Sequence, residues 1–229
     1  MPLLNSPPFR ADHVGSLLRP KTINEAFKNF KAGKISLEER KEVEDLAIKE
    51  AIKMQENLGL YSITDGEFRR ASYWSSFVER VDGLEIDEAR FSFYDNDGND
   101  HKFTAPIVKT KISRPKTIAV DEFDFIKANT NLTPKVTIVS PPTMHMFRLD
   151  KTFDSGSYEN REDYFDDLAR IYREEINELT NRGCTYIQLD DVPIPMLSDP
   201  KVRAKTKADG IDPNELLDDY IKLFNDSLL

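Results

Sequence analysis

The stretch Tyr186-Ile187-Gln188-Leu189-Asp190-Asp191 constrains the fold more than any other part of the chain. Tyr186 to Leu189 have the character of a strand buried in a sheet, and two carboxylates follow at once. Pro193 and Pro195 then argue against further strand or helix. A long amphipathic segment precedes this stretch and another helical segment follows it. The pattern is one βα step of a parallel α/β protein, in which chemistry gathers at the carboxyl ends of strands. The acidic pair is therefore a candidate site. The plainer alternative is that one Asp caps the turn and the other faces water.

The same alternation runs through the chain. Asp12 to Leu18 reads as a short strand ending in Gly15-Ser16, and Thr22 to Lys31 as a short helix. Ser36 and Glu39 form a capping box. The helix they open presents Val43, Leu46, Ala47, Ala51, Met54 and Leu58 as a core face and stops at Gly59. Leu60 to Thr64 is a second strand, running straight into Asp65-Gly66-Glu67. Phe68 to Arg80 is partly helical, with Tyr73, Trp74 and Phe77 as its packing side. Arg69 and Arg70 read as solvated, the alternative being contact with an anionic substrate. Residues 84–104 break the rhythm as a β-hairpin with a polar turn at Asp95 to Asp100. That turn is no calcium loop, because its Gly stands fourth, not sixth, and no Glu stands twelfth.

Ala105 to Ile112 reads as a third strand, Asp121 to Thr130 as a helix, and Val136 to Val139 as a fourth strand ending at Ser140-Pro141-Pro142. His145, alone among apolar neighbours, reads as structural. Asn160 caps the longest helix, which ends at Gly183. Cys184 reads as a small buried apolar residue. Asp212-Pro213 opens a last helix with Pro at its first position. A single cysteine leaves no disulfide framework and no cysteine-based metal cluster. The net charge of -9 argues against a nucleic-acid surface. No apolar stretch approaches the ~20 residues of a membrane helix. Met1 to Pro8 lack a basic segment followed by an apolar run, so a cytoplasmic protein is expected.

Together these elements predict an α/β chain of the (β/α)8 TIM-barrel class. It is expected to be a single domain over 1–229, truncated to about five βα units with a hairpin insertion. Open sheet edges would then favour association with a second copy or a missing fragment.

Five short motifs, each at a strand end, carry a resemblance. They are Val14-Gly15-Ser16, Asp65-Gly66-Glu67, Ala105 to Val108 leading to Ser113-Arg114-Pro115, Ser140-Pro141-Pro142, and Ile187 to Asp191. In this register the chain resembles the catalytic barrel of cobalamin-independent methionine synthase, in its shorter single-barrel branch. The resemblance implies methyl transfer from 5-methyltetrahydrofolate, as its polyglutamate, to homocysteine, giving methionine. It implies that Val14, Gly15, Ser16, Glu67 and Asp190 bind homocysteine, and that His101 and Lys102 contact the folate. A zwitterion needs carboxylates for its ammonium and amide or hydroxyl donors for its carboxylate, which agrees with these residue types. No Trp stands near Phe147 or Arg148, where the family stacks its folate. The family's zinc, which makes the thiol a thiolate, takes ligands from later strands, expected beyond Leu229. No metal is expected on this chain, since His13, His101 and His145 lack ligand-like spacing with Cys184. The alternatives are another zinc-dependent thiol methyltransferase or a decarboxylase of the same superfamily, or a non-catalytic binder of a cationic or amino-acid ligand.

Overall fold

The computed structural model describes residues 12–94, 97, 99–153 and 156–228, without the side chains of 92–94 and 100–102. In chain order the elements are α1 Lys21–Lys31, α2 Leu37–Asn57, β1 Ser62–Ile63, α3 Ser75–Arg80, β2 Asp82–Tyr94 and β3 Asp100–Ser113. There follow α4 Val120–Asn129, β4 Thr133–Pro134, β5 Val136–Val139, α5 Thr143–Met146, a 3-10 turn Leu149–Phe153 and α6 Arg161–Asn181. The chain ends with β6 Ile187–Asp190, α7 Pro193–Met196, α8 Pro200–Ala208 and α9 Pro213–Asp226. Among the described residues the strands pair two by two, β1 with β4, β2 with β3 and β5 with β6.

The chain divides into two compact units. The first is built from Met1–Arg70, Asp121–Thr137 and Gly183–Gln188, and the second from Ala71–Val120, Ile138–Arg182 and Leu189–Leu229.

In the first unit, α2 starts where the capping box was expected. The Ser36 hydroxyl oxygen accepts the Glu39 amide at 3.1 Å and the Glu39 carboxylate accepts the Ser36 amide at 2.7 Å. The face it buries is rotated from the expected one. Ala47, Ile48, Ala51 and Ile52 pack with Ile23, Ile63, Phe68 and Ile126, while Leu46, Met54 and Leu58 are exposed. The buried stripe also carries Glu44 and Gln55, two polar residues that disguised it in the sequence. Gln55 acts as a latch from helix to strand. Its side chain accepts the Thr64 amide at 3.0 Å and donates to the Thr64 carbonyl at 2.9 Å. β1, expected over Leu60 to Thr64, keeps only two ladder residues. Side-chain bonds take the place of ladder bonds at its end.

The expected first strand, Asp12 to Leu18, is reduced to one parallel bridge between Ser16 and Gly66. Gly15 explains the interruption, since its φ of +122° lies outside a strand's range. A Cβ at Gly15 would also stand 2.3 Å from the Thr137 Cγ2.

In the second unit, Ala105 to Ile112 is not a separate parallel strand. It is the second arm of the hairpin, paired antiparallel to β2 with Leu84 opposite Val108 and Asp87 opposite Ala105. The hairpin is therefore longer than 84–104, and the expected series of five βα steps loses its third strand. The sequence hid this because a strand's composition does not show whether its partner runs parallel or antiparallel. Residues 95, 96 and 98 of that turn lie outside the described residues. Pro193 does not bar a helix. It stands at the first position of α7, where a missing amide donor costs nothing. The helix α8, opened by Asp199 and Pro200, was not expected.

Asn160 and Asp212 cap α6 and α9 as expected, accepting the Asp163 amide at 2.9 Å and the Asn214 amide at 2.7 Å. The core of this unit is aromatic. Phe77 stacks on Tyr172 at 4.8 Å, and Phe165 sits within 5.9 Å of Tyr164 and Tyr220. Buried Glu175 of α6 accepts the Ile118 and Ala119 amides at 2.9 and 2.6 Å and pairs with Arg114 at 2.7 Å, which ties down the start of α4. Cys184 is buried, in accord with its apolar reading.

Replacing Gln55 with Leu keeps the volume but strips both partners from Thr64. Urea unfolding should show a loss of about 2–4 kcal/mol. A loss below about 0.5 kcal/mol would mean that the latch does not hold β1.

Candidate functional site

The turn after β1 is the most heavily organised segment of the first unit. Asp65 and Glu67 are both buried, at 4 % exposure each. Glu67 adopts a left-handed backbone with φ of +59°. A non-glycine residue in that region costs on the order of 1 kcal/mol or more and needs outside support. The support is local. The Asp65 Oδ1 accepts the Glu67 amide at 2.8 Å, and the Thr64 hydroxyl accepts the Gly66 amide at 3.2 Å while donating to the Gly15 carbonyl at 2.7 Å. The Leu17 amide donates to the Gly66 carbonyl at 3.1 Å. Two of the segments singled out in the sequence, Gly15-Ser16 and Asp65-Gly66-Glu67, thus lie side by side.

Beneath the turn stands Arg70, which the sequence reading left to solvent. It is 4 % exposed. Its guanidinium grips the Glu122 carboxylate with two nitrogens, at 3.2 and 2.5 Å. It also donates to the Thr137 hydroxyl at 3.0 Å and the Thr137 carbonyl at 2.7 Å, and lies 3.5 Å from the Glu67 Oε1. The Thr137 hydroxyl donates in turn to that same Glu67 oxygen at 2.8 Å. Burial alone would lower the Arg70 pKa, but Glu122, Asp65 and Glu67 outweigh it and hold the cation charged. The signal missed in the sequence was spacing. Arg70 follows Glu67 by one helical-type turn, so the two side chains can meet. Arg69, by contrast, is half-buried over the Phe125 ring and bonds Asp45 at 2.7 Å.

The remaining predicted residues of this unit divide. Gly15 is buried and Ser16 exposed, its backbone bridged to Gly66. Val14 is 64 % exposed, and its carbonyl accepts the Gln188 amide side chain at 2.5 Å.

In the second unit Asp190 ends β6, half-buried, and its carbonyl accepts the Ser140 amide at 2.9 Å. Asp191 has a structural task. It accepts the Ser140 hydroxyl at 2.7 Å and the Ile194 amide at 3.0 Å, holding the turn into α7. One Asp of the pair is therefore a turn residue, as the plainer alternative had it. Tyr73, read as a packing residue, is half-buried and bonds Thr143. Burial, together with the charges of Asp191 and Asp190, pushes its phenol up to about 12. His145 is structural. It is fully buried, with Nδ1 2.7 Å from the Tyr220 hydroxyl and Nε2 3.0 Å from Asp150, and burial lowers its pKa. The side chains of His101 and Lys102 lie outside the described residues.

Among the described residues no group of three or more His, Cys, Asp or Glu is arranged to hold a metal. The described residues do not fit a zinc site. No helix among them is long and apolar enough to cross a membrane.

The family of the cobalamin-independent synthase catalytic domain matches residues 9–210. The chain belongs to that family. Bacillus subtilis uncharacterized protein YxjH is 34 % identical over 226 residues, covering 96 % of this chain and 58 % of YxjH. Methionine synthase of Sulfurisphaera tokodaii is 33 % identical over 183 residues, covering 78 % of this chain and 50 % of that protein. The chain thus spans little more than half the length of these relatives.

Among solved structures, the putative vitamin-B12-independent methionine synthase of Listeria monocytogenes superposes with a TM-score of 0.74 at 32 % identity. It covers 96 % of this chain and 61 % of the other. The B12-independent methionine synthase of a Shewanella species, in complex with selenomethionine, gives 0.57 at 25 % identity, covering 70 % and 45 %. These neighbours fit an α/β fold of the TIM-barrel kind.

The geometry has a consequence for stability. Burial, with Glu122 beside it, pushes Asp65 up to about 6 from 3.8, against the pull of Arg70. The native state therefore binds more protons than the unfolded chain between these values. The stability tied to this proton is fully present below about 3.8 and lost as pH rises through about 6. Asp65→Asn should thus be more stable than the wild type at about pH 8, by on the order of 2–3 kcal/mol. The gap should close as pH falls toward about 4. Urea unfolding across this range checks it, and a variant equally destabilised at every pH would contradict it.

Proposed function

We propose that this chain supplies the amino-acid half of a methyl transfer from a 5-methyltetrahydrofolate, as its polyglutamate, to homocysteine in the cytoplasm, as a single incomplete domain of the (β/α)8 class. The observation that carries the reading is the Glu67 turn. A carboxylate held in a strained left-handed turn, fixed by Asp65, Thr137 and Arg70, is pre-organised to accept an ammonium group. Fixing it in advance removes the entropy that a mobile Glu would lose on binding.

Roles follow from chemistry. Glu67 takes the ligand's ammonium, and Asp190 is a further proposed contact to homocysteine. Ser16, with its hydroxyl, and the backbone of Val14-Gly15-Ser16 take the ligand's carboxylate. Gly15 permits that backbone to pass close over Thr137. His101 and Lys102 are the proposed contacts to the folate and its glutamate tail. A relative crystallised with selenomethionine, an amino acid of the product's shape, supports the assignment of the pocket type. Zinc, where the family binds it, supplies a thiolate. The part assigned to this chain is binding and orientation of the amino acid.

Titration calorimetry with L-homocysteine tests the reading. The wild-type chain should bind, and Glu67→Gln should weaken binding at least tenfold, since a charge-assisted bond contributes about 1.5–3 kcal/mol. The des-amino analogue should bind both proteins equally poorly. Equal affinity of wild type and Glu67→Gln for homocysteine would remove Glu67 from the site.

A further inference from the structure

The outer face of α2 plays no part in the core of the first unit or in its site. Leu18, Leu58 and Leu46 are the most exposed large apolar side chains among the described residues, at 96, 70 and 65 %. Met54 is exposed beside them. Leu46, Glu50, Met54 and Leu58 stand four residues apart, with Lys53 one turn beyond Glu50, so they share one face of the helix. Two grooves adjoin this ridge. One, of about 430 Å3, is lined by Ala26, Ile35, Val43, Leu46 and Ala47. The other, of about 400 Å3, is lined by Leu17, Leu18, Ala51, Met54 and Phe68. Ala47 and Glu50 border both. A continuous apolar surface of this kind, rimmed by charge, marks a site of protein contact.

We propose that a second copy of this chain covers the face, with α2 packed antiparallel on its counterpart about a two-fold axis near Ala51. The occupant follows from the face itself, which is complementary to its own image. In a two-fold contact residue i meets residue j, and j meets i. With the axis near Ala51, Leu58 of one copy enters the groove beside Val43 and Leu46 of the other. Leu46 enters the groove beside Leu18 and Met54. Ala47 and Ala51 add no bulk between the helices, so Met54 seats over Ala47 of the other copy.

Charge agrees with the same arrangement. Glu50 and Lys53 are both exposed. Antiparallel packing lays Glu50 of each copy against Lys53 of the other, which gives two symmetric ion pairs. Residues 46–58 carry two lysines and two glutamates, so this stretch is neutral in a chain of net charge -9. Like-charge repulsion between copies therefore does not arise where the helices meet.

Area sets the strength. Residues 46–58 span about 18 Å of helix. A contact of that length, with Leu17 and Leu18 at its end, falls short of the roughly 800 Å2 per partner of a tight complex. The dimer is therefore reversible, with a Kd on the order of 10 μM. The proposal is independent of the homocysteine reading, since none of these side chains is assigned to that ligand.

Sedimentation equilibrium of the full chain between about 1 and 100 μM tests it. The wild type should pass from monomer to dimer across this range. Leu46→Glu, at an exposed position, should raise the Kd at least about thirtyfold while leaving the thermal melt unchanged. Glu50→Lys alone and Lys53→Glu alone each set like charges against one another, and each should raise the Kd about three- to tenfold. The double variant, Glu50→Lys with Lys53→Glu, should return to within about twofold of the wild type. A wild type that stays monomeric at about 100 μM overturns the proposal. A dimer that Leu46→Glu leaves intact overturns it too, because the copies then meet through another surface. A double variant that associates no better than the two single ones overturns the antiparallel packing about Ala51.

Discussion

The buried guanidinium of Arg70 is the interaction on which the first unit's site depends. Removing an arginine from water costs several kcal/mol, and the Coulomb attraction of one carboxylate seldom repays it. Here Glu122 is gripped with both nitrogens of a fork, and the Thr137 hydroxyl and carbonyl satisfy further donors. Such an arrangement contributes little net stability over an apolar core of equal volume. What it contributes is position. Glu67, strained in backbone, has its carboxylate fixed from two sides, by Arg70 and by the Thr137 hydroxyl.

Short strands make such polar devices necessary. β1 and β4 pair over two residues each, far too few to fix a strand by ladder bonds alone. Gln55 from α2 therefore closes the end of β1, and Glu175 from α6 does the same for the backbone entering α4. In both cases a helix side chain takes over bonds that a longer sheet would have made. Buried backbone groups must be paired somewhere, and these two residues show where.

The sequence announced elements with strong local causes. The capping box at Ser36, the Asn160 and Asp212 caps, and the apolar run of β5 all stand where their chemistry put them. Elements whose form depends on distant partners were misread. Ala105 to Ile112 has a strand's composition in either a parallel sheet or a hairpin, and only its pairing with β2 decides. The core face of α2 was displaced because Glu44 and Gln55 are buried by partners remote in sequence. At the site, strand-end carboxylates were legible because Asp-Gly-Glu breaks a strand in a recognisable way. For Arg70 the spacing to Glu67 was the one local signal, and its burial is set by Glu122 and Thr137, more than fifty residues away.

If Arg70 is what positions the Glu67 turn, its replacement by Lys should be costly although the charge is kept. A lysine cannot grip Glu122 with two nitrogens and also reach Thr137, so buried carboxylates lose their partners. Urea unfolding of Arg70→Lys at neutral pH measures this most directly. The expected loss is about 3–5 kcal/mol. A loss below about 1 kcal/mol would show that the turn stands without its guanidinium.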